Sequence, residues 1–355
     1  MGANAVKTGT GRRYIDLDAV RIIAILLALF VHSGGRGCYR FLDVSGSWTY
    51  WPHLANAIFS CAAVPLFFMA SGALLLDREE SYRGVLRRFL RFLAVLLLAS
   101  ALQYLWQFRG DLQRVYLDYY LRTVYASYMT DGYWYLYSYL GYLLVLPLLR
   151  RLARTMTDRD FLYLLLVYAG LKLLEVPVLL HWQGELTLNP SLQVFTAGDY
   201  VFYPLMGYYF HCRADLSRVR GRPFGCLLLA SLAALALSCL LVWYAYRVGA
   251  PEPGIYYRSF LYLVVFTVFC GMQLLFARGG AGPKLARILR ELSGCCFGIY
   301  LFEDFFMAAA EPVYRGAKPV IGVLPACWLW LAVTFLLGGA CVWLLRKIPG
   351  VNKLI

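Results

Sequence analysis

The chain has 355 residues, 61% of them hydrophobic and 15% charged, with a formal net charge of +14. A soluble domain is roughly 45–50% apolar and about 25% charged, so a water-soluble enzyme is excluded. The positive charge is distributed as membrane topology distributes it, which removes the need for a nucleic-acid partner.

Apolar runs of roughly twenty residues, the length that crosses a bilayer, recur along the whole chain. They predict ten helices, at 15–34, 54–76, 89–106, 132–150, 160–180, 194–211, 224–246, 256–277, 292–313 and 320–345. The first run resembles a signal peptide, with Arg12 and Arg13 before a short apolar core and SGG after it. Asp16, Asp18 and Arg21 interrupt that pattern and argue for a retained helix. No segment between runs is long enough to bury a core of its own. The expectation is one polytopic domain over 1–355, an all-α bundle of about ten transmembrane helices with no appended soluble domain. Most of the ten cysteines, such as Cys61, Cys239 and Cys296, sit inside apolar runs without metal-ligand or disulfide spacing. They read as small buried hydrophobes, and no metal site is expected.

The loops sort by charge. One set holds Arg78, Arg83, Arg87, Arg88 and Arg91, then Arg150, Arg151, Arg154 and Arg159, then two further groups at 213–222 and 278–290. Both termini belong with that set, giving 23 cations against 9 in the alternate loops. By the positive-inside rule both termini are cytoplasmic, which requires an even number of spans. No internal repeat of the kind many transporters carry is present. Between Tyr116 and Tyr142 the chain is rich in tyrosine, with Tyr133 and Trp134 where the fourth predicted helix begins. This is either an interfacial aromatic belt or a platform on which sugar rings stack.

Within the first helix stands RIIAILLALFVH, Arg21 to His32. Eleven residues make three turns plus about 20°, so both side chains project from one face, about 16 Å apart along the axis. Asp18 lies three residues before Arg21 and can pair with it. A charge inside a span costs about 2.5–3.5 kcal/mol. The two can be bland, a snorkelling arginine and an interfacial histidine. Together they suggest a polar path with an imidazole suited to proton transfer near neutrality. Other intramembrane charges are Lys172 with Glu175, read as a structural i, i+3 pair, then Asp199, and Glu303 with Asp304.

These residues, preceded by LDAV, resemble the opening of acyltransferase family 3, a family of membrane proteins. VPLFFMASGALLL in the second predicted helix is similar to that family's FF-x-x-SG-x-L, through Phe67, Phe68, Ser71 and Gly72. WYLYSYLGYLLVLPLL (Trp134, Tyr135, Leu136, Pro147) and LSGCCFGIYLFE match two further family patterns in order. The resemblance implies a bacterial inner-membrane enzyme that moves an acyl group, usually acetyl from cytoplasmic acetyl-CoA, to a hydroxyl of a surface glycan or lipid-linked sugar. It carries functional roles onto Arg21 and His32. Two positions depart from the family: Cys296 stands for its second serine, and Glu303 for its terminal histidine.

That chemistry needs a base, stabilisation of an oxyanion, and a donor site. His32 serves as base or as transient acyl carrier. Glu303 is expected to replace the missing histidine as proton acceptor, and Arg87, Arg88 and Arg91 to meet the phosphates of the donor. Ser71 either donates to the thioester oxygen or, with Gly72, permits close helix packing. Asp199, Tyr133 and Trp134 are expected towards the acceptor. A transporter or flippase for a lipid-linked sugar, and an inert scaffold for a glycan-assembly complex, are the rival readings; only the enzyme consumes a thioester.

Overall fold

The computed structural model describes residues 14–111, 113, 115–186, 189, 192, 199–215, 218, 220–277 and 282–354, and these are all-helical, with no strand among them. The first apolar run folds as α1, Ile15–His32, and most of it is buried: Leu17, Val20, Ala24, Ile25, Leu29 and Phe30 are each 2% exposed or less. A helix apolar all round is one surrounded by protein. Its small residues Ala19, Ala24 and Ala28 let neighbouring helices come close.

A single turn, α2 (Arg40–Asp43), leads to α3 (Tyr50–Ser60) and α4 (Ala63–Leu75). Then come α5 (Tyr82–Gln107), the short α6 (Leu117–Ala126) and α7 (Trp134–Thr155). α8 (Asp158–Leu173), α9 (Glu175–Trp182), α10 (Asp199–Tyr208), α11 (Arg222–Val248) and α12 (Leu261–Ala277) follow. The chain closes with α13 (Pro283–Leu301), α14 (Glu303–Ile321) and α15 (Val323–Leu345). α1 is packed by α3, α4, α12, α13 and α15, so it is the axis of the bundle. Among the described residues, five stretches are long and apolar enough to cross a membrane: Tyr50–Leu75, Asp158–Trp182, Arg222–Val248, Pro253–Phe276 and Val323–Leu345. The bent pair α13 and α14, counted together as one broken span, passes the same test of length and composition.

Local chemistry explains several boundaries. Ser81 caps α5, its Oγ accepting from the Gly84 amide at 3.2 Å. Thr157 and Asp160 form a capping box at the start of α8. α4 and α10 touch backbone to backbone: a side chain at Gly72 would overlap the Pro204 carbonyl, and one at Gly207 would overlap that of Met69. Gly72 is therefore a packing position, where the missing side chain lets α10 approach. Lys172 and Glu175 form the expected structural pair at 2.9 Å, and Ser259 adds a hydrogen bond to Glu175 at 3.3 Å.

Two expected helices differ. The run 292–313 is not one helix, because α13 stops at Leu301 and α14 starts at Glu303, with 98° between them. Apolar periodicity continues across the break, but Glu303 and Asp304 find polar partners only if the chain turns there. α14 then extends past the expected end of that helix to Ile321, and Gly322 at φ 84° makes the turn into α15. Of the expected helix 194–211, residues 194–198 lie outside the described residues; α10 begins at Asp199 and ends in a π-turn over Tyr209–Arg213.

Candidate active site

Beside the first turns of α1 is a cavity of about 420 Å³. Arg21 lines it from α1, Ser71 from α4, and Arg87, Arg88 and Arg91 from α5. On α5, Arg87 and Arg91 are four apart and Arg88 and Arg91 three apart, so the helix brings the three to one side. Tyr135 and Tyr139 of α7 and Cys296 of α13 complete the wall. Phe92 packs against Tyr139 with ring centroids 4.7 Å apart, and stacks on Phe297 at 5.2 Å. No ion pair of Arg21 is seen among the described residues. Arg88 is held at 3.0 Å by Glu80, which also takes Arg150 at 3.0 Å. Burial by itself raises the Glu80 carboxyl, but Arg150 and Arg88 outweigh it and hold the group below its ordinary value.

At the far end of α1 stands His32, its Nδ1 2.6 Å from Glu303 Oε1. Glu303 is 5% exposed and is the first residue of α14, where the helix dipole favours a carboxylate. The break between α13 and α14 is what brings it there. It leaves the Leu301 carbonyl without a helical partner, and the Tyr133 hydroxyl donates to that carbonyl at 2.7 Å. Asp304, one residue on, accepts from Gln103 Nε2 at 2.7 Å and from Thr130 Oγ1 at 3.1 Å. Gln103 is fixed on α5 and Thr130 on the segment before α7, so the bend is tied to two neighbours.

That segment carries Gly132, packed directly on the pair. A Cβ there would lie 2.8 Å from Glu303 Oε1 and 3.1 Å from the His32 ring. Tyr300 donates a hydrogen bond to the Gly132 carbonyl, and its ring centroid is 6.3 Å from that of His32. Tyr300 also lines the arginine cavity. It is therefore the residue shared by the two ends. Nδ1 is thus the ring nitrogen that faces Glu303. An imidazole held in this way keeps Nε2 available to take a proton.

The structure thus gathers Arg21, Ser71, Arg87, Arg88 and Arg91 in one cavity and His32 with Glu303 in a second group. Tyr133 belongs to the second group as a support, with its hydroxyl already engaged. Trp134 is half-buried at the start of α7. Asp199 begins α10, and its side chain lies outside the described residues. Sequence reasoning missed Glu80, Gly132 and Tyr300 as site residues. Tyr300 stood in GIYLFE and Gly132 in DGYW, and only the glycine offered a signal of close approach. Glu80 lay hidden among the cations of its loop.

A helical membrane bundle with a cation-lined cavity and a half-buried histidine held against a buried carboxylate has the parts of a transferase. The chain belongs to the acyltransferase domain family, acyltransferase family 3, whose model matches residues 14–345. It is a multi-pass membrane acyltransferase acting on groups other than aminoacyl groups. No curated protein and no solved structure matches it.

Proposed function

We propose that this enzyme transfers an acyl group, acetyl in the first instance, from cytoplasmic acyl-CoA to a hydroxyl of a cell-envelope glycan or lipid-linked sugar, in the bacterial inner membrane. The carrying observation is the pairing of one cavity, rich in arginine, with one histidine–carboxylate pair, joined through Tyr300. The alternation of 23 cations against 9 supports ten crossings with both termini inside. Leu354, near the C-terminus, lines the same cavity as Arg21 near the N-terminal end of α1, which agrees with termini on one side.

In this reading Arg21, Arg87, Arg88 and Arg91 hold the donor's phosphates by charge-assisted hydrogen bonds. The thioester extends along α1 towards Tyr300. His32 Nε2 takes the proton of the acceptor hydroxyl as its oxygen attacks the thioester carbon. Glu303 on Nδ1 holds the tautomer and balances the imidazolium that forms. The C–S bond then breaks, and the proton passes to the departing sulfur. A variant route has His32 itself carry the acyl group between the two steps.

The test is transfer of label from radiolabelled acetyl-CoA to membrane glycolipid by the full chain in proteoliposomes. Label in the glycolipid is the expected result. If no thioester is consumed with any acceptor, the reading fails and transport of a lipid-linked sugar takes its place.

A further inference from the structure

The arginine cavity contains one residue of the wrong sign. Glu80 lines it among Arg21, Arg87, Arg88 and Arg91, and the donor reading gives no reason for a carboxylate there. Its placement is not incidental. Arg150 binds the Leu75 carbonyl through Nε at 2.8 Å, Arg151 binds the Tyr82 hydroxyl at 2.9 Å, and Arg154 binds the Asp77 carbonyl at 3.2 Å. Three arginines of α7 thus fix the turn that carries Glu80. Gly84 leaves room for the stem of Glu80, since a Cβ there would sit 2.6 Å from Glu80 Cγ.

The two oxygens of Glu80 have unequal partners. Oε2 is bound to Arg150, whose side chain is 7% exposed and is held again by Leu75. Oε1 is bound to Arg88, whose side chain is 30% exposed and faces the cavity. An incoming anion can reach Arg88 but not Arg150. Exchanging one charge-assisted bond at Arg88 for another gains little, so the anion is held less tightly than the number of arginines implies.

We propose that Glu80 is a resident counter-anion of the cavity: it occupies Arg88 until a phosphate-bearing ligand displaces it, and so sets an upper limit on anion affinity. This rests on the proposed function only for its purpose. A donor that keeps its phosphates after losing its acyl group must still leave, and binding that is too tight slows turnover.

The test uses inorganic pyrophosphate as the probe, titrated calorimetrically into the full chain in detergent. With Glu80→Gln the dissociation constant is expected to fall by roughly five- to tenfold, because Arg88 no longer faces a carboxylate. With Arg88→Gln in addition, that gain should disappear, the two residues being coupled in a double-mutant cycle. Glu80→Gln leaves Arg150 buried beside a neutral amide. If that variant does not fold, Glu80→Gln with Arg150→Gln replaces it and should also bind more tightly than wild type. Unchanged or weaker pyrophosphate binding in a folded variant lacking the carboxylate overturns the inference, as does a gain that survives Arg88→Gln. The assay involves no acyl transfer. Tighter pyrophosphate binding without any acyl-CoA turnover would retain the counter-anion and discard the donor reading; turnover without tighter binding would do the reverse.

Discussion

The two ends of α1 differ in how their charges are satisfied. At the Arg21 end, a cavity of about 420 Å³ is lined by four arginines, of which only Arg88 has a carboxylate partner among the described residues. At the His32 end, a 2.6 Å pair is closed in by Gly132, Tyr300 and the bend at Phe302. An open, cation-rich site is built to gain its partners from a ligand. A closed pair with each neighbour fixed is built to hold one geometry, as a proton-transfer group requires. The difference teaches that one helix serves binding at one end and chemistry at the other.

Breaking the chemical end should have the largest effect. His32→Ala is expected to lower kcat for labelled acyl transfer by roughly 10²- to 10⁴-fold, the usual contribution of a general base. Glu303→Gln, which keeps the shape but not the charge, should lower it by about 10²-fold or more. Near wild-type rates in both variants would reduce the pair to a helix-end contact. Gly132→Ala comes next. Its added carbon would press on Glu303 and the His32 ring, so kcat should drop by about tenfold with the donor KM unchanged, since only alignment is disturbed. A change in KM alone would mean that Gly132 belongs to the binding end.

At that end the expected loss is smaller and of another kind. Arg21→Ala should raise the donor KM by about tenfold, equivalent to ~1.4 kcal/mol, with kcat affected less. Equal loss in kcat and kcat/KM would show that Arg21 acts on the transition state instead. The smallest effect concerns pH. The Glu80 carboxyl is held below its ordinary value by Arg150 and Arg88, so the stability it contributes is present above the unfolded value. That contribution is lost as pH falls through the lowered folded value. In acid titrations of melting temperature, the wild type should therefore lose an increment of stability that Glu80→Gln lacks. Parallel curves for the two proteins would remove the clamp from the account.

Much of this was legible beforehand, because some of the physics is local. A run such as Ile22–Val31 can only be a buried or membrane helix. The 100° step per residue puts Arg21 and His32 on one face. Cation counts in alternating loops, and the ordered motifs that resemble one family, need no coordinates. The Lys172–Glu175 pair likewise follows from i, i+3 spacing.

Tertiary structure alone decided which charges from distant segments meet. His32 and Glu303 are 271 residues apart in the numbering, and no local pattern pairs them. The bend that joins them leaves apolar periodicity intact, so the run 292–313 reads as one helix until Asp304 is seen bonded to Gln103 and Thr130. Glu80 looked like one more loop residue because its value depends on Arg88 and Arg150, which come from two different helices. Sequence fixes what each helix can bury through short-range periodicity. The partners of its buried charges depend on desolvated contacts between distant segments, and those exist only once the bundle has packed.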